Sequence, residues 1–176
     1  NFITGEVQES IEPINFPATT LYERLLIAPD HHYTFALHSS GRLDVYNTRN
    51  LQNIELLQTL VVVKPGQKVT QMIFQLAQQS LLIGDSQGRI TQFFMVRDED
   101  AQQKLTQIRS LKLGDAPITI LEGEQRRKGF FAIDTTGRLG IFNTTAEKTA
   151  IDQPLLAAAP LLAAISPRAS MLLVQD

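Results

Sequence analysis

Three stretches decide the reading: Tyr33-Thr-Phe-Ala-Leu-His-Ser-Ser-Gly-Arg-Leu-Asp-Val-Tyr46, Ser80-Leu-Leu-Ile-Gly-Asp-Ser-Gln-Gly-Arg-Ile-Thr-Gln-Phe93 and Gly129-Phe-Phe-Ala-Ile-Asp-Thr-Thr-Gly-Arg-Leu-Gly-Ile-Phe142. They align on a Gly-Arg pair, and the shared glycines Gly41, Gly88 and Gly137 lie 47 and 49 residues apart. A fourth unit begins at the end of the chain, where Met171-Leu-Leu-Val-Gln-Asp176 matches Tyr33 to His38, and Ser166-Pro167 matches Ala28-Pro29. Each unit reads as a β-hairpin: a run of β-formers, a short polar turn, and a second run that alternates inward and outward, as in Leu43 and Val45 or Leu139 and Ile141. The glycine supplies the left-handed residue that such a turn needs. No helical pattern follows it, so these are not phosphate-cradling loops.

Two more strands per repeat are expected between the hairpins: 56–63 and 69–76 around Lys64-Pro65-Gly66, 105–113 and 117–121 around Gly114-Asp115, and 148–156 and 161–165 around Pro160. Four strands in about 47 residues is close to the period of a β-propeller blade. The expected fold is therefore all-β, with four-stranded propeller-like blades in units of about 14–62, 63–111 and 112–158 and a partial unit at 159–176. That makes about three and a half blades of a larger propeller. Either further blades lie in a longer protein, or two copies associate through the open blade edges. The polar stretch 98–104 is the one place where a helix competes, and it reads as a loop.

Composition narrows the function classes. The 176 residues are 43% hydrophobic and 19% charged, with a net charge of −2, which is globular and gives no electrostatic case for nucleic acid. Without Cys, thiol catalysis, disulfides and Cys-containing zinc sites are excluded. No apolar run reaches the roughly 20 residues of a membrane-spanning helix; the most apolar one, 154–165, is interrupted by Pro160.

No residues show the spacing of a catalytic, cofactor or metal site. His31, His32 and His38 read as solvated loop histidines, too few for a zinc site without carboxylate help. Asp85, Asp134 and Asp176 recur at the slot that His38 occupies, and an Asp before a tight turn bonds its own backbone two residues on. Arg42, Arg89 and Arg138 mark a solvent-facing strand start. The compact run Glu124-Gln-Arg126-Arg127-Lys128 is the best polar contact surface, so Arg126, Arg127 and Lys128 are the candidate protein-contact residues.

The hairpins resemble those of WD-repeat-like propellers, although the chain has no Trp. A narrower resemblance rests on Leu81-Leu-Ile-Gly-Asp-Ser-Gln-Gly-Arg-Ile-Thr-Gln-Phe-Phe94, Glu124-Gln-Arg-Arg-Lys-Gly-Phe130, Gly137-Arg-Leu-Gly140 and Ile165-Ser-Pro-Arg168. In order and spacing these are similar to the large extracytoplasmic domain of certain bacterial phosphate ABC transporter permeases. The resemblance implies a non-enzymatic docking or regulatory domain on the periplasmic face of the inner membrane, in a membrane-anchored protein. Its partners would be the other transporter subunits and a periplasmic phosphate-binding protein, and it needs no cofactor. The alternative is a soluble propeller scaffold unrelated to transport.

Overall fold

The computed structural model describes residues 21–75, 80–124, 128–144, 148–154, 162–165 and 172–175. They form fourteen strands and no helix. The first sheet holds β1 (Tyr22–Ile27), β2 (Tyr33–His38), β3 (Arg42–Asn47) and β4 (Glu55–Val61). The second holds β5 (Val69–Gln75), β6 (Ser80–Asp85), β7 (Arg89–Arg97) and β8 (Gln103–Lys112), and the third β9 (Ile118–Gly123), β10 (Gly129–Asp134), β11 (Arg138–Asn143) and β12 (Lys148–Pro154). A two-stranded sheet pairs β13 (Leu162–Ile165) with β14 (Leu172–Gln175). Each sheet is an antiparallel meander in sequence order, and we call the four sheets blades 1 to 4.

The repeat extends into details that the glycines alone do not show. Every β2–β3-type turn closes with a hydrogen bond from the glycine N–H to the carbonyl three residues earlier, at 3.0, 3.3 and 3.0 Å. Gly41, Gly88 and Gly137 have φ of +80°, +73° and +79°, the left-handed conformation that side chains resist. Bulges fall at equivalent places in all three full blades, with one extra residue on the fourth strand opposite Val45/Tyr46, Gln92/Phe93 and Ile141/Phe142 of the third. A bulge adds twist, which a blade needs to fan from an inner to an outer strand.

Alternation decides where the core lies. On β6, Leu81 and Ile83 pack with Phe35, Leu37, Leu43 and Val45 of blade 1, whereas the intervening Leu82 packs with Ile118, Phe130 and Phe142 of blade 3. Phe131, Ile133 and Leu139 then turn toward Ala163 of blade 4. Blades 2 and 3 thus each have a leading face toward the blade before and a trailing face toward the one after. The second strands β2, β6 and β10 are buried along their whole length, as expected of strands covered on both faces.

Side-chain hydrogen bonds to backbone tie neighbouring blades at repeated positions. Arg24 Nη2 donates to the Thr70 carbonyl (3.5 Å), and its counterpart Gln71 Nε2 donates to the Thr119 carbonyl (2.5 Å). Toward the outside, Gln58 donates to the Leu105 carbonyl and accepts from its N–H (3.3 and 2.7 Å).

Of the stretch 98–104 expected as a loop, 98–102 is one, while Gln103 and Lys104 already begin β8. Asp98 takes N–H groups of its own turn, and its carboxylate pairs with Lys104 at 2.6 Å.

Gly88 offers a sharp test of the turn geometry, because a Cβ there would lie 2.4 Å from the Gly114 carbonyl oxygen. Gly66 has a similar φ of +81° but open space around it. Urea denaturation should show Gly66→Ala costing about 1 kcal/mol and Gly88→Ala about 3 kcal/mol, the excess being backbone clash. Equal costs would contradict the packed turn.

Candidate protein-contact sites

The leading face of blade 1 differs from those of blades 2 and 3. Where they carry Leu81, Thr91 and Phe93, or Phe130, Gly140 and Phe142, blade 1 carries Thr34, Asp44 and Tyr46. Around Asp44, only 4% exposed, side chains from all four strands converge. His38 Nε2 lies 2.8 Å from Asp44 Oδ2 and 2.9 Å from Arg42 Nη2, between an acceptor and a donor. Thr59 Oγ1 donates to Asp44 Oδ1 at 2.7 Å, and Tyr22 OH donates to Oδ2 at 3.3 Å while sharing a 2.6 Å hydrogen bond with Tyr46 OH. The Tyr22 ring stands edge-on to His38, with centroids 4.6 Å apart.

This environment moves two groups. Burial pushes the Tyr22 phenol well above its ordinary value, helped by its bond to Tyr46 and the charge on Asp44. Burial acts to raise Asp44 too, but hydrogen bonds from His38 and Thr59 and the charges beside it outweigh that and hold the carboxyl below its usual range.

His38 is therefore not the solvated loop histidine expected from sequence. It is 9% exposed and bonds sideways across the sheet, because Asp44 sits where blades 2 and 3 have Thr91 and Gly140. His32, by contrast, is a loop residue, its ring 3.0 Å from Asp30. Asp85 and Asp134 behave as expected, accepting N–H groups from Gln87 and Arg89 and from Thr136 and Arg138 at 2.8–3.1 Å. Asp176 lies outside the described residues. Arg42 does begin its strand half exposed, yet its guanidinium reaches into the His38–Asp44 cluster.

A second feature opens between blades 1 and 2, at the end carrying the β1–β2 and β7–β8 connections. It is a cleft of about 410 Å³. Tyr33, Phe35 and Phe93 are among the buried groups lining it, while Phe74, Phe94 and Met95 are half-buried. Asp30 is also among its lining residues, and the Arg49 guanidinium lies 5.8 Å from the Tyr33 ring centre. Of the three sequence-predicted contact residues, Arg126 and Arg127 lie outside the described residues. Lys128 is exposed just before β10, its carbonyl held by Thr144 N–H and Oγ1 at 2.9 and 2.8 Å. The cleft is not legible in the sequence because residues from the β1–β2 connection to β8 meet only through blade packing; the aromatic pair Phe93-Phe94 is the available signal.

No protein-family model matches the sequence, and no curated protein is significantly similar to it. Solved structures do match. A β-propeller domain of Myceliophteria thermophila Cps50 (Swd1) superposes with a TM-score of 0.66 at 11% identity, over 85% of this chain and 46% of that one. The WD40 repeats of RRP9 and the structure of U3-55K superpose with TM-scores of 0.60 and 0.59, each at 11% identity over 77% of this chain. The fold is a β-propeller, present in part. The chain spans about two fifths of the length of these neighbours.

The Asp44 cluster carries a pH prediction. An unfolded Asp titrates near pH 3.9, roughly; because Asp44 is lower in the folded chain, its stabilisation is complete above that value and is lost as pH falls through the folded value. Asp44→Asn should cost about 1–3 kcal/mol at pH 7, and the difference from the native chain should shrink below about pH 4. A pH-independent difference in denaturation midpoints would contradict this.

Proposed function

We propose that this chain is a non-enzymatic propeller segment that recognises another protein through the connections and cleft at one end of its blades. The observation carrying this reading is the aromatic cleft between blades 1 and 2, with Phe94 and Met95 half-buried in a lining that also includes Tyr33, Phe35 and Phe93. Protein interfaces are enriched in accessible aromatic and Met side chains. The Asp44 cluster favours a structural role over chemistry, since its carboxylate oxygens are engaged by Thr59, Tyr22 and His38. The WD40 neighbours support the coarse reading of a propeller scaffold.

The finer reading is a docking domain of a phosphate-type ABC permease, facing the periplasm beside the phosphate-binding protein and the other transporter subunits. Its support is the order of the motifs at 81–94, 124–130, 137–140 and 165–168. Membrane fractionation followed by protease treatment of intact spheroplasts tests it. The protein should sediment with the membrane and be cut within this region from outside; a soluble, protected protein would leave the unrelated scaffold reading in its place. On the transporter reading, Phe94→Ala with Met95→Ser should weaken binding to the phosphate-binding protein about tenfold, the loss expected from one interface anchor. Unchanged affinity would move the contact elsewhere.

A further inference from the structure

The joint between blades 1 and 2 repeats the joint between blades 2 and 3 except at the end where β6 turns into β7. Val62 N–H bonds the Gly41 carbonyl as Leu113 N–H bonds that of Gly88, and Val69 pairs with Asp85 as Ile118 pairs with Asp134. Six residues lie between Val62 and Val69, but four between Leu113 and Ile118. The shorter connection closes its joint. A Cβ on Gly114 would lie 3.1 Å from Asp134 Oδ2 and 3.7 Å from Arg138 Cδ, and Leu113, 4% exposed, reaches the space beside Gly140.

Between blades 1 and 2 neither filler is present. Thr91 stands where blade 3 has Gly140, and Val62, in the place of Leu113, is only half-buried. Val63, in the place of Gly114, packs its side chain against Gly41 of its own hairpin. A pocket of about 210 Å³ remains, lined by Lys64 and Gln67 of the longer connection and by Asp85, Arg89 and Thr91 of blade 2. That is several times the roughly 30 Å³ share of one water, room for a small organic group. The Arg89 guanidinium is poorly used: Nη1 makes one long bond to Ser110 Oγ (3.5 Å), and Nε is shut away from solvent with no acceptor. A buried donor without an acceptor is costly, and a turn of the flexible stem brings the Nε–Nη2 edge to the pocket. Asp85 is committed elsewhere, its Oδ1 taking the backbone N–H groups of Gln87 and Arg89 at 2.8 and 3.0 Å.

We propose that this pocket binds a carboxylate on a short aliphatic stem, gripped by Arg89 with Lys64 and the Thr91 hydroxyl beside it and the stem lying on Val62. A guanidinium edge offers two parallel N–H groups, which match the two oxygens of a carboxylate. Lys64 and Arg89 against Asp85 leave one net positive charge in the lining, which suits a monoanion; a phosphate dianion would meet the Asp85 charge at close range. A glutamate side chain of another protein and a small free acid carry the same group. The inference does not depend on the aromatic cleft, which opens at the opposite end of the blades.

Nuclear magnetic resonance titration of the ¹⁵N-labelled full chain tests the proposal. The probes are butyrate, glutamate blocked at both its amino and carboxy termini, and inorganic phosphate. The Arg89 Nε–H signal, identified by its loss in Arg89→Lys, should shift saturably with butyrate or blocked glutamate, together with the amides of Lys64, Gln67 and Thr91. Tighter binding of blocked glutamate marks a protein's side chain as the source, and tighter binding of butyrate marks a free acid. Phosphate should bind about tenfold more weakly than the better carboxylate. Arg89→Lys keeps the charge but lacks the fork, and should weaken binding about tenfold, read from the backbone amides; Thr91→Leu should do the same by filling the pocket, with the dispersion of the spectrum showing that each variant folds. No saturable shift with either carboxylate, phosphate binding as tightly as they do, or a folded Arg89→Lys chain of unchanged affinity overturns the proposal.

Discussion

A β-strand sends successive side chains to opposite faces, and in this chain both faces are apolar. Leu81, Leu82 and Ile83 are consecutive and essentially inaccessible, yet the outer two pack toward blade 1 and the middle one toward blade 3. No single sheet can bury such a strand. A sheet must lie on each side, and stacked blades are the outcome. Each Leu, Ile or Phe so buried contributes on the order of 1.5–3 kcal/mol, which is why the cores lie between blades rather than within any one of them. Bulges, twist and inter-blade hydrogen bonds then serve to keep successive faces in contact.

Within that frame, one repeat slot does two different jobs. Asp85 and Asp134 turn back on their own hairpins and cap the N–H groups of the turn. At the same slot His38 reaches across the sheet to Asp44. The difference lies across the hairpin, where blade 1 has Asp44 and blades 2 and 3 have Thr91 and Gly140. The pair is therefore best understood as one unit, with Tyr22, Tyr46, Thr59 and Arg42 holding it on a face that no described blade covers.

Much of the fold could be read from residue order. The Gly-Arg spacing located the hairpins, the Asp slot foretold its own turn bonds, and the expected strand ends fall within a few residues of the observed ones. Strand β1 is hard to read from the sequence, because Tyr22–Ile27 mixes Glu23 and Arg24 into its alternation and no turn glycine marks its start. The His38 cluster and the aromatic cleft escaped for a different reason. Both are assembled by cross-strand register and blade packing, and a strand-terminal His looks the same in sequence whether its neighbour across the ladder is Gly, Thr or Asp. The basic run was visible, but Lys128 is its only cation among the described residues, and its tie to the fold is through its backbone carbonyl.

Blade-on-blade burial is the central claim, and a double-mutant cycle between Leu82 and Phe130 measures it most directly. They lie on β6 of blade 2 and β10 of blade 3, in one buried cluster. Leu82→Ala and Phe130→Ala should each be strongly destabilising, and the double variant should depart from additivity by about 1 kcal/mol or more, as residues sharing a packed interface do. Costs that simply add would mean that the two blades do not share a core, and the stacked account would fail.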